Sequence, residues 1–194
     1  MSLPETFRLG RIEACTPQQV EAVRRLRNLP AIRDAMYGDQ VIPEAEHAAW
    51  VNSLRGDARR LVLAALNDGD EPVGVASLTA IDRVHGRADW GFYMGPGAPQ
   101  GLGGVVLATL LDHAFGELGL EKVNGEVIEG NAASLALHHK LGFRDEGCRR
   151  SHVRRAGGRR DVHLLGLTAA EWREARESVR AVLPLYAVRL EPEA

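Results

Sequence analysis

The sequence predicts one α+β (α/β) domain over residues 1–194, and three observations carry that prediction. Apolar residues make up 45% and charged residues 26% of 194 positions, enough for one well-filled core and short for two. Short apolar or alternating runs early in the chain read as antiparallel strands; strand, loop, helix, strand and helix then follow. Between those two regions stands PQGLGGVVLATLLDHAF, Pro99 to Phe115, where a glycine-rich loop opens directly into an apolar helical pattern.

Thr6 to Ile12 alternates as an opening strand. Thr16 and Pro17 are a cap and first residue for a helix whose apolar face is Val20, Val23, Leu26 and Leu29, broken at Pro30. A second helix runs from Glu44 through Leu54, after Pro43. Leu61 to Leu66 is a buried strand, Asp68-Gly69-Asp70 a hairpin turn, and Pro72 to Ile81 and Ala88 to Met94 the next strands. In the helix behind the glycines, Leu107, Leu110, Leu111, Ala114 and Leu118 share a face, and Gly119 ends it. Lys122 to Ile128 is a strand, and Asn131 caps a short helix over Ala132 to Lys140. Gly147 to Arg155 and Arg159 to Leu167 form a hairpin turning at Gly157-Gly158. Thr168 and Glu171 make a capping box for a last helix, limited by Pro184. There is no internal repeat, low-complexity segment or linker.

Composition narrows the function classes. A formal net charge of -2 gives no whole-molecule attraction to nucleic acid or an anionic membrane. No apolar run reaches the roughly 18 residues of a membrane span, and MSLPETFRLGRIEA lacks the basic start and apolar centre of a signal peptide. Cys15 and Cys148 are isolated, without metal or redox spacing, and read as reduced packing residues of a cytoplasmic protein. No metal site is expected.

The glycine loop raises the question of which phosphate it holds. A Walker-type loop needs Gly-Lys followed by Ser or Thr, and Gly103-Gly104-Val105 has neither the lysine nor the hydroxyl. A dinucleotide fingerprint puts Val106 where a third glycine belongs. Two readings stay open on this stretch alone: a backbone cradle for a pyrophosphate at a helix N-terminus, and a tight strand-to-helix turn.

The downstream segment EVIEGNAASLALHHKLGF, Glu126 to Phe143, decides between them. Ala98 to Gly103 matches Q/R-x-x-G-x-G/A, and Asn131, Ser134, Leu137, His138, Lys140, Gly142 and Phe143 match N-x-x-A/S-x-x-L-Y-x-K-x-G-F. Together they resemble the GNAT superfamily of acetyl-CoA-dependent N-acetyltransferases. The sequence departs from that pattern twice: Ala98 replaces the leading Arg or Gln, and His138 stands where tyrosine is common.

The resemblance implies a mixed, mostly antiparallel central sheet, helices on both faces, and a splayed pair of parallel central strands. It implies acetyl-CoA, held by Phe92, Tyr93, Met94, Gly101, Leu102, Gly103, Gly104, Asn131, Ser134 and Lys140, with no metal. The Tyr93 N–H is expected to polarise the thioester oxygen, Glu126 to deprotonate the acceptor directly or through water, and His138 to protonate the leaving thiolate. Met36, Tyr37, His47 and Trp50, with Asp82 and Trp90, are the expected acceptor pocket.

Wider likeness, over RRLRNLPAIRDAMY, IPEAEHAAW, WGFYM and LHHKLGFRDEG, is to the N-acetyltransferases of pseudaminic-acid synthesis in flagellin glycosylation. Their acceptor is the nucleotide sugar UDP-4-amino-4,6-dideoxy-N-acetyl-β-L-altrosamine. Seven arginines, Arg144, Arg149, Arg150, Arg154, Arg155, Arg159 and Arg160, crowd one hairpin and suit an anionic acceptor. Without interleaved aromatics they do not suit nucleic acid. Ribosomal-protein N-termini and polyamines are alternative acceptors, a non-catalytic acetyl-CoA sensor is the alternative of another class, and the oligomeric state, homodimer included, is open.

Overall fold

The computed structural model describes residues 5–192. Its strands are β1 (Thr6–Arg11), β2 (Leu61–Leu66), β3 (Pro72–Asp82), β4 (Arg87–Met94), β5 (Lys122–Ile128), β6 (Arg144–Arg155), β7 (Gly158–Thr168) and β8 (Ala187–Leu190). Its helices are α1 (Pro17–Arg27), α2 (Pro30–Asp34), α3 (Glu44–Asn52), α4 (Leu102–Phe115), α5 (Ala132–Lys140) and α6 (Ala169–Ala181). The strands form one sheet in the order β6-β7-β5-β4-β3-β2-β1-β8, antiparallel except where β5 meets β4 and β8 meets β1. The mixed α+β architecture expected from the sequence is present.

Local chemistry places the helix ends. Thr16 with Gln19, and Thr168 with Glu171, close capping boxes on α1 and α6. Pro30 ends α1 and then opens α2, because its fixed φ suits a first helical position. The short α2 and the strand β8 were not anticipated. β8 is set by tertiary pairing, Thr6 opposite Ala187 through Leu9 opposite Leu190, and not by a local pattern. β6 also begins three residues before the expected Gly147, pairing Arg144 with Gly166.

Two cores sandwich the sheet. On one face Leu102, Leu107, Leu110 and Leu111 of α4 and Trp172 of α6 pack on Leu63, Leu78, Val123 and Leu165. On the other, Val23 of α1 and Val51 of α3 pack on Val62, Ala64 and Val75. Period-two alternation assigns β4 to both: Ala88 and Trp90 are buried in the α4 core, with Phe92 and Met94 packed against it, while Tyr93 joins the α1–α3 side.

The sheet opens at its centre. β4 and β5 pair in parallel only at Arg87–Asp89 with Lys122–Asn124. Beyond that point β4 stays on β3 and β5 stays on β7, so the two C-terminal halves diverge. The site lies in that gap.

Candidate active site

Two cavities meet at the open end of β4. One, of about 620 Å³, occupies the gap and is lined by Met94 and Gly103 on one wall and Asn131, Ser134 and Leu137 on the other. The second, of about 370 Å³, lies under α1 and α3 and is lined by Met36, His47, Trp50 and Arg27. Met36, Gly91, Phe92 and Tyr93 line both. Two volumes sharing one short strand edge are what a reaction between two substrates needs.

The glycines divide by task. Gly101, the N-cap of α4, has φ of 84°, a left-handed conformation that favours glycine, and a Cβ there would also lie 2.6 Å from Pro184. Gly104 makes room for Leu183, whose terminal methyl would lie 2.6 Å from a Cβ there. Leu102 is a fully buried core side chain. The N–H groups of Leu102 and Gly104 donate to the carbonyls of Pro99 and Gly101 at 3.1 Å each. That leaves the amides of Gly101 and Gly103 without an acceptor among the described residues, and Gly103 lines the larger cavity. The cradle expected from four residues is therefore narrower, with Leu102 and Gly104 serving the fold. Across the gap, the Asn131 side chain accepts from the Ser134 N–H at 3.1 Å and caps α5. Lys140 lies outside the cavity; its ammonium reaches the Val182 carbonyl at 3.4 Å and ties α5 to the end of α6.

Strand register corrects the expectation for Tyr93. Val75 faces Tyr93, and the Gly95 N–H donates to the Val73 carbonyl at 2.8 Å in the same register. Because peptide direction alternates along a strand, the Tyr93 N–H also points into β3. The amides that turn toward the gap are those of Phe92 and Met94. Tyr93 instead contributes its ring, and burial raises its phenol pKa.

His138 is 2% exposed, and both ring nitrogens are engaged. Nδ1 lies 2.8 Å from the Ser134 carbonyl, which can only accept, so Nδ1 carries the proton. Nε2 accepts from the Trp90 indole N–H at 2.9 Å. A second proton on Nε2 would oppose that N–H, and burial already holds the imidazole pKa below its ordinary value. The expectation of a general acid does not fit a neutral ring with no free nitrogen. Trp90, expected among acceptor contacts, is 7% exposed, stacks on Phe143 at 4.5 Å and fixes His138.

This arrangement sets a pH dependence. The folded pKa of His138 is depressed, so between that value and the ordinary value of about 6.5 the unfolded chain binds the extra proton. Stability should fall as pH drops below about 6.5. Melting curves from pH 7.5 to 5 should show a shallower decline in His138→Gln than in the parent. Equal slopes would mean that this ring takes no part.

Glu126, on β5, faces the gap between two donors: the Tyr37 hydroxyl on Oε2 and the Arg149 guanidinium on Oε1. Burial, then Glu126, push the Tyr37 phenol pKa up to about 12, while Glu126 raises that of Arg149. Tyr37 arrives there because Arg155, 13% exposed, donates to the Met36 and Tyr37 carbonyls and pairs with Asp39 at 3.9 Å. The arginine hairpin thus has internal work: Arg144 pairs with Glu171 at 3.0 Å, and Arg159 holds the Ser151 carbonyl at 2.9 Å.

Of the acceptor expectations, Met36, His47 and Trp50 line the smaller cavity and Tyr37 the larger, with the rings of His47 and Trp50 5.3 Å apart. Asp82 does not belong there. It accepts from the Val84 and His85 amides at 3.0 Å, at the turn before β4, the far end from the gap. Among the described residues no group of three or more His, Cys, Asp or Glu side chains is placed to hold a metal, and no helix is long and apolar enough to cross a membrane.

Missing from the sequence reading was Arg27; Phe92 and Met94 are among the expected coenzyme contacts, and the structure turns their amides, in place of that of Tyr93, toward the gap. Arg27 had a signal: it falls four residues after Val23 and seven after Val20, a cation on the apolar face of α1.

Comparison with known proteins agrees with this geometry. The acetyltransferase (GNAT) domain model matches residues 11–144. The uncharacterized N-acetyltransferase p20 of Bacillus licheniformis is 29% identical over 121 residues, 62% of this chain and 67% of that protein. The prophage-derived uncharacterized N-acetyltransferase YokL of Bacillus subtilis is 31% identical over 127 residues, 63% and 70% of the two chains. In fold, the chain is similar to spermidine N-acetyltransferase from Vibrio cholerae in complex with CoA and spermine. That match has a TM-score of 0.78 and 18% identity, over 88% of this chain and 98% of the other. The family model spans more than half the chain, and the paired cavities suit a thioester donor and a separate amine. The chain belongs to the GNAT acetyltransferase family, enzymes that move an acetyl group from acetyl-CoA to an amine.

Proposed function

We propose that this enzyme acetylates the primary amine of an anionic small molecule, with a UDP-linked 4-aminodideoxy sugar as the leading acceptor, by direct attack on acetyl-CoA. The observation that carries the two-substrate part is the pair of cavities sharing Met36, Gly91, Phe92 and Tyr93. The pyrophosphate of the coenzyme sits on the Gly101 and Gly103 amides at the start of α4, where the helix dipole favours an anion. The pantetheine arm follows the open edge of β4 as an added strand. The Phe92 N–H, directed into the gap, takes the place first assigned to Tyr93 in polarising the thioester oxygen.

Glu126 accepts the ammonium proton, directly or through a water. The freed amine attacks the carbonyl carbon, and the tetrahedral intermediate collapses as the carbon–sulfur bond breaks; the second nitrogen proton leaves to solvent or to the departing thiolate, so that the product is a neutral amide. A thiol with a pKa near 8.5 leaves readily as thiolate, so no side-chain acid is required at neutral pH. His138 then acts as a positioning residue through Trp90.

Nucleotide sugar is favoured over polyamine by Arg27, a cation on the wall of the smaller cavity with no carboxylate at ion-pair distance among the described residues, whereas Arg60 is already paired with Asp57 and the one carboxylate of the lining, Glu46, is exposed. The likeness to spermidine N-acetyltransferase is at 18% identity and bears on the fold alone. The test is release of free thiol from acetyl-CoA with three acceptors: a UDP-aminosugar, a ribosomal N-terminal peptide and spermidine. The aminosugar should give the highest kcat/KM. Preference for spermidine would overturn the acceptor assignment, and coenzyme binding without turnover on any amine would favour a sensor.

A further inference from the structure

Four buried side-chain polar atoms among the described residues have no hydrogen-bond partner: Glu13 Oε2, Arg27 Nη1, Arg155 Nε and Arg180 Nε. Three belong to side chains that are already ion-paired. Glu13 lies 3.2 Å from Arg11, Arg155 lies 3.9 Å from Asp39, and Arg180 pairs with Asp112. Arg27 differs, having no carboxylate within ion-pair distance among the described residues. The hydrogen bond it makes runs from Nη2 to the Gly38 carbonyl at 2.9 Å.

Its surroundings do not supply the missing charge. Arg27 faces Arg33, whose guanidinium is held by the carbonyls of Asn28 at 3.1 Å and Asp39 at 2.7 Å. Arg60, also on the cavity wall, is balanced by Asp57 at 2.5 Å. Glu46 lines the same cavity but is exposed. Tyr93 is close enough to act electrostatically on Arg27, and its hydroxyl has no hydrogen-bond partner among the described residues. Burial lowers the guanidinium pKa, the mark of a desolvated cation. Natural proteins rarely leave a desolvated guanidinium without an anion, since the lost hydration must be replaced. In a wall residue of a substrate cavity, that anion can arrive with the substrate.

We propose that Arg27 is the specificity residue of the acceptor site and reads an anionic oxygen group, carboxylate or phosphate, carried on the body of the amine substrate. The proposal rests on the reading of the smaller cavity as the acceptor site. A bidentate oxyanion fits a guanidinium better than any neutral group, and a second ammonium would be repelled there. Reorientation of Nη1 toward the cavity on binding would satisfy the orphaned donor.

The experiment uses matched amines in the thiol-release assay: glucosamine against glucosamine 6-phosphate, and a dipeptide amide against the free dipeptide. The two pairs separate phosphate from carboxylate as the source of the anion. With the parent enzyme, the anionic member of at least one pair should have a kcat/KM about ten to a hundred times higher, as expected for a charge-assisted hydrogen bond. In Arg27→Gln that ratio should fall close to one, with acetyl-CoA affinity unchanged, and Arg27→Lys should keep part of it. Equal rates within both pairs for the parent, or equal loss on both members in Arg27→Gln, would overturn the proposal while leaving acetyl transfer intact. Turnover on none of these amines would instead count against the acceptor reading itself. Binding then tests Arg27 without chemistry: glucose 6-phosphate, but not glucose, should raise the melting temperature of the parent and not of Arg27→Gln. No such difference would also overturn the proposal.

Discussion

Glu126→Gln is expected to lower kcat by about 10²–10⁴-fold at pH 6.5, the usual range for loss of a general base. The amide keeps the size of the carboxylate, and its one oxygen can still accept from Arg149 while its NH2 donates to the Tyr37 hydroxyl oxygen, so the gap should keep its shape. What is lost is a site for the ammonium proton. An alkylammonium has a pKa near 10.4, so at pH 6.5 almost every acceptor arrives protonated. As pH rises toward 10 the free amine is supplied by solvent and the defect should shrink. Stopped thiol-release traces across that pH range, at saturating acetyl-CoA, decide the matter. A loss of the same size at every pH would make Glu126 a binding residue, and no loss would remove it from the mechanism.

Gly125→Ala should be the most damaging single methyl group in the site. A Cβ there would lie 2.6 Å from His138 Nε2 and 2.9 Å from Trp90 Nε1, between the two atoms that share a hydrogen bond. Neither ring can retreat easily, because Trp90 is stacked on Phe143 and His138 is anchored to Ser134. Overpacking of this kind costs about 1–3 kcal/mol, to which loss of a buried hydrogen bond adds about 1 kcal/mol. For a chain of this size that is a fall in Tm of roughly 4–16 °C. Changed tryptophan fluorescence should accompany it, since Trp90 would move. A Tm within about a degree of the parent would show that the strand can shift to admit the methyl.

Much of the fold was legible because it follows from local pattern. Thr16, Thr168 and Asn131 cap where their side chains predict, and the alternation in Ala88 to Met94 assigns its side chains to two faces. β8 was not legible, since four residues after Pro184 become a strand only by lying beside β1. In the site, the glycine loop with Asn131–Phe143 pointed to acetyl-CoA, and period-two alternation groups Glu126 with Asn124 and Ile128, all three of which line the larger cavity. The roles of Tyr93, His138, Lys140 and Asp82 were not placed correctly. Each depends on a partner far along the chain.

By itself, then, the sequence determined the family, the order of elements and which side chains share a face, because periodicity and capping are properties of neighbouring residues. Tertiary structure alone decided which way the β4 amides point, which His138 nitrogen holds the proton, and that Gly104 accommodates Leu183. It also decided that the half-buried Arg27 keeps one buried nitrogen, Nη1, without a partner. Hydrogen-bond direction and charge balance are set by the atoms opposite. Those atoms belong to strands and helices that only the folded sheet brings together.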